Sequence, residues 1–202
     1  MTSRFRLLAG IVALVAMAAV LSAVPRFESA RESLQPEGAE KQVMPKYERD
    51  GALLLPKDWR QWVFAGSSLG LSYSENAAPG PELFHEVLME PTAYRHFAET
   101  GKFREGTMFV LVLHGIGENV LPARRGRFAA DLRAVEMAVK DTAHRPEGWA
   151  YYNFGGRNGI RPTAPAMPKE SCYNCHIQHA KRDNVFMQFY PLLESVAPPA
   201  TP

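Results

Sequence analysis

Three features of the chain predict an α+β domain. Apolar runs bounded by glycine, above all residues 107–114 and 148–155, have the length and the β-branched or aromatic content of strands. One segment, residues 90–101, carries an amphipathic helical pattern between a proline and a glycine. A proline-rich loop then leads into a short helical stretch that holds both cysteines of the chain.

In chain order, residues 1–24 place Arg4 and Arg6 before a long apolar run. This reads as a secretory signal or an N-terminal membrane anchor. Leu21-Ser22-Ala23 is an imperfect cleavage triplet because leucine is not small, so both readings stay open. Either way the rest of the chain is expected to be exported, periplasmic, and soluble or tethered to the inner membrane. Residues 25–46 are rich in Glu, Ser, Gln and Lys and read as a flexible linker. Residues 47–195 supply about 150 residues, enough for one core, and residues 196–202 read as a disordered tail.

Within the domain, Asp58 is a candidate N-cap before a β-like run. Residues 84–89 form a short strand candidate. Pro91 suits the first turn of the helix, Ala93, Tyr94, Phe97 and Ala98 make one apolar face, and Gly101 ends it. Residues 128–141 fit two periods: Phe128, Leu132, Val135 and Val139 share a helical face, whereas Val135, Met137 and Val139 alternate as in a strand. Residues 170–181 form the cysteine-bearing helix, and residues 184–193 a final apolar turn or helix. A four-helix bundle would not contain these strands.

Charge excludes rather than identifies. The whole chain holds 23 basic and 21 acidic residues. Losing Arg4 and Arg6 with the leader lowers the basic count to 21, so the exported part is formally neutral. No basic stripe suggests a nucleic-acid partner.

The stretch Cys172-Tyr173-Asn174-Cys175-His176 is C-x-x-C-H, the attachment signature of c-type haem. On a short helix, residues three apart share a face, so two thiols reach neighbouring edges of one flat ligand, and the next residue turns its imidazole over the same face. The expectation is one covalent haem c, held by Cys172 and Cys175, with His176 on the iron. A zinc site, a thioredoxin-like dithiol and a local disulfide are the alternatives. Met89, Met108, Met137, Met167 and Met187 could each supply a sixth ligand but read first as core. His85, His96 and His114 could be distal, though each reads first as a satisfied or exposed histidine. His179, one turn past His176, belongs to the proximal side.

These blocks resemble the cytochrome P-460 family, which includes the cytochromes c′-beta. The resemblance rests on Phe84-His-Glu-Val-Leu-Met-Glu-Pro-Thr-Ala-Tyr, Thr100-Gly-Lys-Phe-Arg-Glu-Gly-Thr-Met-Phe-Val, Val139-Lys-Asp with Gly148-Trp-Ala-Tyr-Tyr-Asn-Phe, and Cys172-Tyr-Asn-Cys-His with Asp183-Asn-Val-Phe-Met-Gln-Phe-Tyr-Pro. It implies an antiparallel β-sheet packed with a few helices around one five-coordinate c-type haem, and it makes residues 134–140 a strand. Members named P-460 oxidise hydroxylamine on a haem cross-linked to a lysine. The corresponding strand here has no lysine, Leu111 standing at that position, while Lys102 and Lys140 lie elsewhere. The resemblance therefore points to the c′-beta side, with electron transfer or the binding of a small gas or nitrogen oxide. Phe84, Leu88, Phe109 and Leu111 are the expected apolar distal wall. A redox partner is expected, a homodimer is left open, and any membrane contact would be through an uncleaved N-terminal segment.

Overall fold

The computed structural model describes residues 42–72 and 82–199. The expected leader at 1–24, most of the expected linker at 25–46 and the last three residues lie outside them. Among the described residues no helix is long and apolar enough to cross a membrane.

The fold is α+β, built on one antiparallel meander. β1 (Leu53–Leu54) precedes a 3-10 turn at Trp59–Gln61. Then come β2 (Val63–Leu69), β3 (Phe84–Met89), α1 (Pro91–Thr100), β4 (Met108–Glu118), β5 (Arg127–Lys140) and β6 (Trp149–Asn153). β2 to β6 lie side by side in sequence order, each antiparallel to the next. The short pieces β7 (Gly155–Gly156), β8 (Gly159–Ile160) and β9 (Thr163–Ala164) follow, and β9 pairs with β1. The chain ends in α2 (Tyr173–His179), a 3-10 turn at Met187–Phe189, and α3 (Pro191–Val196).

Successive side chains of a strand point to opposite faces, and this sheet buries both. One face presents Met108, Val110, Val112, Val135, Met137, Val139, Ala150 and Tyr152, covered by Leu53, Trp59, Trp62, Phe154 and Ala164. The other presents Val87, Met89, Phe109, Trp149 and Tyr151, covered by Ala93 and Phe97 of α1 and by Phe103, Val185, Met187 and Leu193. The second face carries the cavity described below.

The two-period stretch is a strand, and a longer one than expected. Val135, Met137 and Val139 are buried, while Phe128 and Leu132, which a helix would have brought to the same face, are exposed. Burial of the period-2 set decides the conformation. Beyond Glu118 and Arg127 the β4–β5 hairpin outruns its neighbours: β3 pairs only as far as His114, and β6 only from Glu136.

The helix at 91–100 starts and ends where its cap residues dictate. Buried Glu90 accepts hydrogen bonds from the backbone N–H groups of Thr92 (3.0 Å) and Ala93 (2.7 Å), and Gly101 closes it in the left-handed conformation (φ 68°). The cysteine-bearing helix is shorter than residues 170–181 at both ends. Residues 42–46, expected as linker, lie against the domain, with Gln42 Nε2 donating to the Glu105 carbonyl at 2.7 Å.

Candidate functional site

Cys172 stands at the N-terminal end of α2, and the His176 N–H donates to the Cys172 carbonyl at 3.1 Å, closing the turn that brings Cys172, Cys175 and His176 together. The two thiols are not joined to each other. Among the described residues no three or more His, Cys, Asp and Glu side chains are arranged to hold a metal ion. All three residues line one cavity of about 360 Å³, within the roughly 300–1,000 Å³ range of cofactor sites.

The imidazole of His176 is fixed on three sides. Its ring packs between Tyr151 (centroids 4.4 Å apart) and Phe186 (4.2 Å). Its Nδ1 lies 2.7 Å from the backbone carbonyl of Asn184. A carbonyl can only accept, so Nδ1 carries the proton and Nε2 keeps a free lone pair, the state a metal-binding histidine requires. Burial pushes the His176 pKa down, and the Asn184 carbonyl opposes that shift in part.

The carbonyl is aimed by an unusual turn. Asp183 (φ 42°) and Asn184 (φ 59°) are consecutive left-handed residues, and the Val185 N–H donates to the Arg182 carbonyl at 2.8 Å across them. Asn and Asp tolerate this region better than other side chains, as in a type I′ turn. The Asp183 carboxylate pins the turn to the sheet, accepting from Lys140 Nζ at 2.6 Å and Trp149 Nε1 at 3.0 Å. The Asp-Asn pair was a readable turn signal, but nothing local said that its carbonyl would meet His176.

Opposite α2 the sheet forms the wall. Phe109 and Leu111 line the cavity as expected, but Phe84 and Leu88 do not; His85 and Val87 take their place. The reason is register. Val87 pairs with Leu111 and Leu88 with Val110, so Leu88 shares the face of Val110, away from the cavity. Phe84, four residues before Leu88, shares that face too.

The wall is also less apolar than expected. Glu136, opposite Leu111 on β5, lines the cavity and accepts from Asn153 Nδ2 at 2.8 Å. Burial raises its pKa, holding the carboxyl closer to its neutral form. Burial, Glu136 and Cys175 together push the Cys172 thiol up to about 11. The alternation of β5 did mark Glu136 as facing away from Val135 and Met137. That face looked like solvent because a single strand does not reveal that its sheet is covered on both sides.

Of the remaining candidates, Met137 and Met167 also line the cavity, whereas Met89, Met108, Met187, His96, His114 and His179 do not. Met89, Met108, Met137 and Met187 are buried in the two cores, while Met167 lies beside Cys172 with Sδ 3.8 Å from Sγ. His114 Nδ1 is 3.1 Å from the Ala130 carbonyl. His179 is exposed. Among the described residues no lysine lines the cavity; Lys140 is engaged by Asp183 and by the Phe103 carbonyl (3.0 Å).

The donor set fits a haem. Two thiols three residues apart, a cavity-lining imidazole whose Nε2 keeps its lone pair, and walls of Phe109, Leu111, Val87 and Tyr151 are what a flat, largely apolar macrocycle with a central metal needs. A family model described as Cytochrome P460 matches residues 56–187, from the segment before β2 through α2 to the 3-10 turn. No curated protein matches the chain.

Proposed function

Because the chain belongs to the cytochrome P460 family, and so is a cytochrome-type haem protein, we propose that it is an exported mono-haem c-type cytochrome with a five-coordinate iron. Its role in this reading is electron transfer or the binding of a small gas or nitrogen oxide such as nitric oxide. The observation that carries the reading is the His176 Nδ1–Asn184 hydrogen bond of 2.7 Å beside the two cavity-lining thiols. With Nδ1 so engaged, Nε2 would be the atom to bind the iron, and Cys172 and Cys175 would be the thiols to form thioethers with the haem. The leader at 1–24 supports export, since c-type haem is attached outside the cytoplasm.

When bound, the haem supplies an iron with one exchangeable position and a one-electron couple. The rest falls to the chain. Tyr151 and Phe186 hold the His176 ring in orientation. Val87, Phe109 and Leu111 give the cavity an apolar stretch of wall. Glu136 adds a carboxyl to the wall, and its burial raises its pKa. The absence of a cavity-lining lysine among the described residues argues against a lysine cross-link, and with it against hydroxylamine oxidation.

Intact-mass and absorption measurements on protein made with haem-maturation machinery test the reading. One haem mass on two cysteines is expected, with a high-spin ferrous spectrum that changes on adding carbon monoxide or nitric oxide. Cys172→Ala or Cys175→Ala should weaken haem retention, whereas His176→Ala should keep the haem and change its coordination. A colourless protein, or a low-spin spectrum indifferent to carbon monoxide, would sink the proposal.

A further inference from the structure

The sheet order places two histidines at opposite ends of the cavity. His176 packs against Tyr151 on β6, whereas His85 is on β3 and pairs with Ser68 of β2. β4 and β5 intervene, so the two flanking strands are roughly 14 Å apart at the usual inter-strand spacing. Both side chains line the same cavity. His85 therefore faces the space opposite His176.

Unlike His114 and His144, whose Nδ1 atoms are engaged, the His85 imidazole makes no hydrogen bond or ion pair with the described residues. Burial lowers its pKa, so near neutral pH its imidazole is uncharged and offers one N–H donor. A half-buried donor that faces the cavity without a protein partner is available to hydrogen-bond a ligand held there. Glu136 is the carboxyl in the same cavity, and its burial favours the neutral form, which limits its repulsion of an anion.

We propose that His85 donates a hydrogen bond to the ligand held at the open position of the iron, making the pocket selective for small anions and for ligands that gain negative charge when bound. This rests on the haem reading above and replaces a purely apolar distal face with one that carries an imidazole donor.

The test compares the parent holoprotein with His85→Leu and His85→Gln. Fluoride binding to the ferric form and the C–O stretching frequency of the ferrous carbon monoxide complex are the readouts. In His85→Leu fluoride should bind at least about tenfold more weakly, as for a lost hydrogen bond to a charged group, and the C–O frequency should rise. His85→Gln, which keeps a donor, should recover most of both. Unchanged fluoride affinity and C–O frequency in His85→Leu would overturn the proposal. So would a low-spin parent that becomes high-spin in His85→Leu, because His85 would then be an iron ligand. A haem-free parent would instead overturn the haem reading itself.

Discussion

Asn184 controls His176 through its backbone, so its side chain matters chiefly for the conformation it permits. At φ 59° a β-branched residue is strained and glycine is not. Asn184→Gly should leave the position of the carbonyl, the reduction potential and the unfolding midpoint nearly unchanged. Asn184→Val should cost about 1–3 kcal/mol of stability and shift the potential by loosening the hydrogen bond to His176. Denaturation curves and redox titration of the two holoproteins check this, and an Asn184→Val protein equal to the parent in both would refute it. His176 was singled out by the five-residue stretch Cys172-Tyr173-Asn174-Cys175-His176. The carbonyl that sets its tautomer was not, because a backbone acceptor leaves no trace in residue type.

Elements were legible where one period was satisfied. The helix at 91–100 was marked by Pro91 and Gly101, and its buried face includes Ala93 and Phe97 as expected. What the pattern missed is the depth of Glu90, only 1% exposed, whose carboxylate also accepts from Thr92 Oγ1 at 2.6 Å and lies 3.7 Å from Arg104. Glu90→Ala should therefore cost roughly 3 kcal/mol, more than an ordinary cap, because it leaves first-turn N–H groups without their acceptor and the Arg104 guanidinium without its counter-ion. Glu90→Gln, which keeps one acceptor, should cost less. Chemical denaturation would measure both, and a loss under about 0.5 kcal/mol for Glu90→Ala would show that water replaces the carboxylate. β3 shows the opposite limit. Phe84 and Leu88 on one face and Val87 and Met89 on the other are equally apolar, so composition alone could not say which pair faces the cavity.

Across the whole molecule, the segment before β1 is fastened to the turn between β5 and β6. Tyr47 donates to Asp141 at 2.7 Å, and His144 Nδ1 lies 2.8 Å from the same carboxylate oxygen. Burial would raise the Asp141 pKa, but the hydrogen bonds from Tyr47 and His144 outweigh it and hold the carboxyl below its usual range. A depressed carboxylate stabilises the fold above its unfolded-state pKa, and the contribution is lost as pH falls through the folded value. Tyr47→Phe should thus cost about 1–2 kcal/mol at neutral pH, with the gap from the parent closing in acid. Urea denaturation at pH 7 and near pH 3 would show it, and a gap independent of pH would place the loss in packing instead. By itself the sequence determined the α+β class, the helix at 91–100 and the grouping of Cys172, Cys175 and His176 on one short helix, because each depends on spacings within about a dozen residues. Only the tertiary structure decided that His85 and Glu136 share a cavity with His176 and that Phe84 and Leu88 do not. Those facts depend on strand register and on both sheet faces being covered, which are set jointly by residues far apart in the chain.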